Sequence, residues 1–174
     1  MQITIETDRL LLRALSLDDA PVFFELNSDP EVVRYTGGDS LGSVAEARQR
    51  ICERILRDYA VHGFGRCAMI LKETGALIGL AGLKHLDEFE QVDVGYRLLR
   101  KFWGRGLATE AARASIAYGF DVLRLPQIIG LVDPPNLASV RVLEKSGLVF
   151  EKTVEYRSQQ VSKYLIARAD CRPR

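Results

Sequence analysis

The spacing of hydrophobic residues changes repeatedly along the 174-residue chain, and these changes restrict the fold more than any other feature. Stretches in which every second residue is apolar predict strands, and stretches with apolar residues three or four positions apart predict helices. In chain order, the patterns give β, α, α, β, β, β, α, β, α, β, β. Because adjacent strands and strand–helix–strand units both occur, the sequence predicts an α/β (α+β) fold with a mixed sheet covered by helices.

Terminal signals mark where several of these elements begin. Residues 3–16, ITIETDRLLLRALS, alternate as a single first strand. A helix follows because Ser16 and Asp19 have the spacing of a capping box, and Asp29-Pro30 marks a second helix start. Residues 43–65 have the period of a long amphipathic helix. The remaining patterns predict a hairpin turning at 72–75, a strand at 90–99, a helix at 107–123, a strand at 127–132, a helix at 136–147, and strands at 148–156 and 161–169.

Composition argues against several classes of partner and site. The net charge of +1 and the pI of about 7.7 lack the basic excess that is typical of nucleic-acid binders. No long apolar run predicts a membrane span, and no export signal is visible. The odd set of cysteines, Cys52, Cys67 and Cys171, has no CxxC spacing and indicates reduced thiols in the cytoplasm. His62 and His85 lack metal-ligand spacing, so we expect no metal.

Residues 100–112, RKFWGRGLATEAA, connect a predicted strand to a predicted helix and carry the strongest chemical signal. Backbone N–H groups at a helix start are free, and the helix dipole favours negative charge there. Gly104 and Gly106 let an oxygen-rich group approach the backbone, while Lys101 and Arg105 supply positive charge. The turn therefore predicts a phosphate or pyrophosphate site, with a plain chain reversal as the alternative.

Two common phosphate-binding patterns fit this turn poorly. The chain contains no GxxxxGK[ST] run, which a P-loop requires. A dinucleotide fingerprint needs a third glycine where Thr109 stands, and it belongs in an initial βαβ unit, whereas this turn lies past the middle of the chain.

The segment around the turn resembles a known motif. Residues 93–114, DVGYRLLRKFWGRGLATEAARA, are similar to the acetyl-CoA-binding motif Gln/Arg-x-x-Gly-x-Gly/Ala of the GCN5-related N-acetyltransferases (the GNAT superfamily), with Lys101 in the first place. Trp-Gly-x-Gly-x-Ala-Thr-Glu-Ala resembles the RimJ/RimL-like ribosomal-protein N-acetyltransferase subgroup. Residues 136–151, NLASVRVLEKSGLVFE, resemble that subgroup's Asn-x-x-Ser segment, except that Leu148-Val149-Phe150 replaces Gly-Phe.

The resemblance implies a GNAT fold, which is a mixed, mostly antiparallel sheet of six to seven strands flanked by about four helices. Two strands splay apart at the acetyl-CoA site, and acetyl-CoA is the cosubstrate. The pantetheine arm is expected beside Leu98 and Leu99, and the pyrophosphate is expected to receive amides from about Trp103 to Thr109. The cofactor-binding residues implied in this way are Leu98, Leu99, Lys101, Trp103, Gly104, Arg105, Gly106, Leu107, Ala108, Thr109, Asn136 and Ser139.

The resemblance also implies direct acetyl transfer from the CoA thioester to a primary amine. Ser139 is expected to hydrogen-bond the CoA sulfur, and the alternative is an ordinary serine in the first turn of a helix. Asn136 is expected to contact CoA while it caps that helix. Asp93 is the candidate for holding the water that deprotonates the amine, and the alternative is a solvent-facing carboxylate. Glu88 and Glu90 are weaker candidates.

The acceptor amine is the least determined feature. An α-amine with a pKa of about 7.8 is about one-seventh unprotonated at pH 7, whereas a lysine amine with a pKa of about 10.4 is unprotonated about once in 2,500. We therefore expect a protein N-terminal α-amine or a small-molecule amine. Acidic residues on the expected acceptor side can attract a cation, and two tyrosines can line the pocket, with aromatic core as their alternative: Glu25, Asp29, Glu31, Glu155, Tyr156 and Tyr164.

The chain is expected to form one N-acetyltransferase domain over residues 1–174, with a frayed C-terminal tail. It is expected to act as a monomer or homodimer, without nucleic-acid or membrane partners. Two other functions stay open. One is a catalytically degenerate acyl-CoA-binding sensor module, which the intact Asn136/Ser139 pair disfavours. The other is a nucleotide-binding structural domain, which the missing Walker and dinucleotide patterns disfavour.

Overall fold

The computed structural model describes residues 3–35 and 40–170, and its strands form an eight-stranded sheet. The spatial order of the strands is β1-β2-β3-β4-β5-β6-β8-β7. Their bounds are β1 Thr4–Glu6, β2 Leu10–Ala14, β3 Arg66–Leu71, β4 Ala76–Leu86, β5 Gln91–Leu98, β6 Gln127–Val132, β7 Val149–Tyr156 and β8 Gln159–Ala167.

The α-helices are α1 Ala20–Ser28, α2 Pro30–Val33, α3 Val44–Arg50, α4 Arg57–His62, α5 Leu107–Asp121 and α6 Leu137–Lys145. A π-helical segment, Ile51–Leu56, joins α3 to α4, so the long helix predicted for this region forms with a local widening of its turns. Gly63 ends the helix in the left-handed conformation, with φ of 77°.

Each pair of neighbouring strands in this sheet is antiparallel except β5 and β6, which are parallel and connected through α5. The pair β5–β6 is also the weakest, because only Asp93 and Ile129 are paired across it. One face of the sheet packs against α5 and α6, and the other packs against α1 and α3. Beyond Asp93 the two parallel strands diverge, as the resemblance implies.

The main difference from the predicted fold lies at the N-terminus. The single strand expected over residues 3–16 is two antiparallel strands, β1 and β2, so the sheet has eight strands where six to seven were expected. The chain reverses between them at a turn in which the Thr7 N–H donates to Leu10 O and the Leu10 N–H donates to Thr7 Oγ1, both at 2.9 Å. Thr7 and Arg9 also donate hydrogen bonds to Glu110 of α5. The helical segments also outnumber the four expected, since α2 is a separate short helix. The expected frayed tail, 171–174, lies outside the described residues.

The chain leaves the sheet for α1 through a charged cap. The Asp19 carboxylate accepts two hydrogen bonds from the Arg13 guanidinium, at 2.7 and 2.8 Å, and a third from the Ser16 backbone N–H at 2.8 Å. Burial raises the pKa of Asp19, but the bonds from Arg13 and Ser16 outweigh it and hold this pKa below its ordinary value of 3.8. The predicted capping pair therefore also anchors α1 to β2.

We expect Asp19→Ala to lower the free energy of unfolding at pH 7 by about 2 kcal/mol, because the substitution removes charge-assisted hydrogen bonds at a buried position. A carboxylate whose pKa is lowered on folding stabilises the protein above its unfolded pKa and loses that effect as the pH falls through its folded pKa. Denaturant titrations should therefore show a difference that shrinks below about pH 4. Asp18→Ala, at an exposed neighbour, serves as the control and should change little.

Candidate active site

The turn between β5 and α5 adopts a conformation that requires its two glycines. Gly104 and Gly106 have φ of 74° and 76°, in the left-handed region that other residues avoid. A Cβ atom at Gly104 would meet no heavy atom within 4 Å, so the backbone angle, and not crowding, selects glycine there. The 15-residue helix α5 begins directly after the turn.

The backbone N–H groups of residues 104–109 are available to a ligand. Over the described residues, none of these six groups has a hydrogen-bond acceptor, and the first helical bond of α5 joins the Glu110 N–H to Gly106 O at 3.1 Å. Trp103 differs from the prediction, because its N–H already donates to Arg100 O at 3.1 Å. Free amides and the positive end of a helix dipole together favour an anion such as a pyrophosphate.

The side chains of the turn lie at the surface. The Trp103 indole donates to Leu98 O at 2.8 Å and remains 48 % exposed, so it holds the turn against the end of β5. The Lys101 ammonium lies 5.6 Å from the centre of the Phe102 ring, and the Arg105 guanidinium lies 5.7 Å from it. Both cations therefore flank the aromatic ring of the same turn, and their contact with a bound phosphate stays a prediction.

Hydrogen bonds from the N-terminal hairpin hold the first turn of α5 in place. Glu110 accepts hydrogen bonds from the Arg9 Nε at 2.6 Å, the Arg9 N–H at 3.0 Å and the Thr7 hydroxyl at 2.6 Å. Arg9 also donates to Arg105 O at 2.9 Å. Burial raises the pKa of Glu110, but these bonds outweigh it and lower that pKa. Because the Glu110 carboxylate accepts these hydrogen bonds, it does not compete with an anionic ligand for the amides of the turn.

Asp93 lies where β5 and β6 begin to separate. Its Oδ1 accepts the Leu131 N–H at 3.1 Å, and its Oδ2 is paired with the Arg66 guanidinium. Asp93 is 7 % exposed, so it is not the solvent-facing carboxylate that the sequence left open. Burial raises the pKa of Asp93, and Arg66 offsets part of that rise. Glu88 and Glu90 lie in the exposed turn that precedes β5.

The other wall of the gap is α6. Asn136 caps this helix, since its Oδ1 accepts the Ser139 N–H at 3.2 Å. The Tyr96 hydroxyl donates to the Ser139 backbone oxygen at 2.9 Å and connects β5 to α6 across the gap. Within the described chain, the Ser139 hydroxyl and the Asn136 Nδ2 have no partner. Both groups can therefore bond a ligand without breaking an existing contact.

The structure brings most of the predicted residues together around one gap. Leu98 and Leu99 are buried at the end of β5, next to the turn. Sequence reasoning missed Tyr96 and Arg66, because their roles depend on contacts with α6 and Asp93. The only sequence signal for Tyr96 is its position between the active-site candidates on β5. Tyr164 is 7 % exposed and packs edge-on against Phe150, as expected of aromatic core.

Comparisons with known proteins agree on one family. The profile of the acetyltransferase (GNAT) domain matches residues 9–149. The chain is 36 % identical over 162 residues to the uncharacterized N-acetyltransferase p20 of Bacillus licheniformis, which covers 92 % of this chain and 89 % of that protein. The crystal structure of an acetyltransferase from Agrobacterium tumefaciens has a TM-score of 0.82 and 28 % identity, over 94 % of each chain.

A spermidine N-acetyltransferase from Vibrio cholerae, solved with CoA and spermine, has a similar fold, with a TM-score of 0.77 and 21 % identity over 94 % of this chain and 98 % of that one. The fold and its gap are those of an acyltransferase that uses an acyl-CoA donor. The chain belongs to the GNAT acetyltransferase family and is an acetyl-CoA-dependent N-acetyltransferase. The comparisons do not single out the RimJ/RimL-like subgroup.

Gly106→Glu should weaken acetyl-CoA binding by about tenfold more than Gly106→Gln does. Both variants bear the cost of a side chain at positive φ, but only the glutamate places a negative charge beside the expected pyrophosphate, where repulsion exceeds about 1.4 kcal/mol. Isothermal titration calorimetry on both variants measures the difference. Equal affinities for the two variants would place the pyrophosphate elsewhere.

Proposed function

We propose that this enzyme acetylates a primary amine by direct attack on the CoA thioester, with the cofactor lying in the gap between β5 and β6. The observation that carries the proposal is the run of free amides at residues 104–109 beside the only parallel strand pair in the described sheet. Leu98 and Leu99 end the strand that leads into these amides. An extended pantetheine along β5 would reach the divergence point near Asp93 with its thioester.

Ser139 is the proposed donor to the leaving sulfur. Acyl transfer generates negative charge on the thiolate, and a positioned hydroxyl stabilises that charge as it forms. The Ser139 hydroxyl has no other partner among the described residues, while the Asn136 cap and the Tyr96 bond fix its backbone. Burial raises the pKa of Tyr96, so its phenol stays protonated and keeps donating to the Ser139 backbone. Asn136 Nδ2 is the proposed contact to the pantetheine.

Asp93 has two proposed duties. First, its Oδ1 accepts a hydrogen bond from the Leu131 N–H. This backbone donor comes just after Ile129, at the point where β5 and β6 stop pairing. The raised pKa of Asp93 also suits the proton-accepting role predicted from the sequence, in which it holds the water that deprotonates the amine. Because each carboxylate oxygen already accepts one hydrogen bond, the water would use a second lone pair of Oδ1 or Oδ2.

Ser139→Ala should lower kcat by about a hundredfold and leave the affinity for acetyl-CoA nearly unchanged, since the lost hydroxyl acts on charge that develops in the transition state. Stopped assays of CoA release, together with calorimetry, separate the two effects. Ser146→Ala, at the other end of α6, is the matched control because the Ser146 hydroxyl also lacks a partner in the described chain. An unchanged kcat would remove Ser139 from the mechanism and reopen the acyl-CoA sensor as the function.

We further propose that the acceptor amine carries an anionic group, such as a carboxylate. Asp93, Gly95 and Arg97 alternate on one face of β5, and Arg66 lies directly over Gly95, where any side chain would collide with the guanidinium. In the described parts of the chain, the Arg97 guanidinium donates a hydrogen bond to the Asn27 side-chain oxygen Oδ1 and has no carboxylate within ion-pairing distance. Arg97 donates to Asn27 of α1, so its charge lies on the face of the sheet that packs against α1 and α3, which is the proposed acceptor side.

The charge balance on this face supports an anion. Burial, together with the charges of Arg66 and Arg50, lowers the pKa of Arg97 to about 10, which indicates a cation whose charge is poorly compensated. Two of the four carboxylates that the sequence offered for a cationic acceptor, Asp29 and Glu25, have other partners. Asp29 caps α2, and Glu25 lies 3.9 Å from Lys101. Burial raises the pKa of Tyr156, whose ring packs against Phe89 with the ring centroids 5.9 Å apart.

Matched amine pairs test the acceptor class. We expect kcat/KM to be about tenfold or more higher for ornithine than for putrescine, which lacks the carboxylate, and for tyrosine than for tyramine. Arg97→Gln should abolish this preference, whereas Arg168→Gln, at an exposed site after β8, should retain it. Higher kcat/KM for the decarboxylated amines would overturn the anionic acceptor and leave the acetyltransferase activity itself intact.

The remaining proposals concern location, domain organisation and partners. Cys52 and Cys67 are free thiols, in line with a cytoplasmic location, and Cys171 lies outside the described residues. No helix in the described ranges is both long enough and apolar enough to span a membrane.

We propose that residues 1–174 act as one domain, as a monomer or homodimer, with no nucleic-acid partner. A protein N-terminal α-amine remains a candidate acceptor when an acidic side chain follows it closely.

A further inference from the structure

The two histidines of the chain lie side by side, although they are distant in the sequence. His62 is the last residue of α4, and His85 is the penultimate residue of β4. Their rings stack with centroids 4.6 Å apart and planes inclined by 24°. Asp87, in the turn after β4, completes the cluster, with its Oδ1 3.0 Å from His85 Nδ1. The cluster combines two imidazoles and one carboxylate outside the acetyl-CoA gap.

We propose that His62, His85 and Asp87 form a binding site for a divalent transition-metal ion, and that Zn²⁺ is its ligand. One potential ligand atom from each residue lies within 4.8 Å of the other two. Donor atoms around a tetrahedral zinc ion lie about 3.3 Å apart, so the three donors must move closer together and the stacked imidazole rings must rotate to bind one ion. Three protein donors leave the fourth position to a water molecule.

The chemistry of the donors selects this class of ion. Imidazole nitrogens bind Zn²⁺, Ni²⁺ and Cu²⁺ well, whereas Mg²⁺ and Ca²⁺ prefer sites made of oxygen atoms alone. A second negative charge lies one helical turn before His62. The Asp58 Oδ2 is buried and lacks a hydrogen-bond partner in the described chain, and Asp58 interacts electrostatically with both His62 and Lys84. This unpartnered carboxylate oxygen lies on the same helix as His62, four positions earlier in the chain.

The position of the site gives the ion a structural effect. His62 ends the helical segment 44–62, which covers the acceptor face of the sheet, and Asp87 begins the turn into β5, which carries Asp93. A bound ion would therefore connect α4 to the β4–β5 hairpin. The sequence predicted no metal site here, because metal-ligand spacing is recognised only between residues that are close in the chain.

Zinc titration of the metal-free protein tests the site. With Zn²⁺ at about 100 times its dissociation constant, we expect the melting temperature to rise by about 5 to 10 °C. Measurements use the full chain with Cys52→Ser and Cys171→Ser, so that thiols do not compete for the ion. His62→Ala and His85→Ala should each abolish the shift, and Asp87→Asn should weaken zinc binding by about tenfold. Mg²⁺ should have no effect.

A spectroscopic arm keeps the test independent of thermal stability. Co²⁺ bound by two imidazoles and a carboxylate in tetrahedral geometry gives intense visible absorption, which His85→Ala should eliminate even if that variant melts at the wild-type temperature. The proposal is overturned if wild-type protein shows neither the zinc shift nor the cobalt spectrum. It is also overturned if the histidine variants retain both, because the ion would then bind elsewhere.

Discussion

The gap between β5 and β6 is the constraint on which the site depends. Parallel strands normally continue their ladder of backbone hydrogen bonds, yet here only Asp93 and Ile129 are paired. Unpaired backbone groups inside a protein are costly, so the divergence needs substitutes. The Asp93 carboxylate supplies one for Leu131, and the Tyr96 hydroxyl holds α6 at the far wall. The acyl donor is proposed to supply the remaining partners.

Charge is distributed unequally around this gap. On the α5 side, six free amides and the helix dipole offer partial positive charge without a buried ion. On the opposite face of β5, Arg66 is neutralised by Asp93, whereas Arg97 has an amide oxygen and no carboxylate as its partner among the described residues. We propose that the first arrangement binds a phosphate of an acyl-CoA donor and that the second discriminates among acceptors. Under this proposal, the donor site can stay constant while the acceptor site changes.

Local patterns predicted most of the elements, and the differences arose at short turns whose hydrogen bonds are not visible in hydrophobic periodicity. The helix starts at Asp29-Pro30 and Asn136 form as the sequence predicts, because capping depends on neighbours within one turn. The prediction of a single first strand was wrong, because the turn from Thr7 to Leu10 reverses the chain and is closed by two hydrogen bonds between these residues. Trp103 was expected to offer its N–H to the cofactor, but a local 3₁₀ turn uses that group.

The sequence by itself determined the order of the elements, the glycine turn with its positive φ angles, and the family to which the chain belongs. These features are encoded by residues that lie close together in the chain. Only the tertiary structure decided that Asp93 is buried against Arg66, that Tyr96 reaches Ser139, and that His62 meets His85. Each of these contacts joins residues from different strands or helices, so its energy depends on sheet order and helix placement, which periodicity alone does not specify.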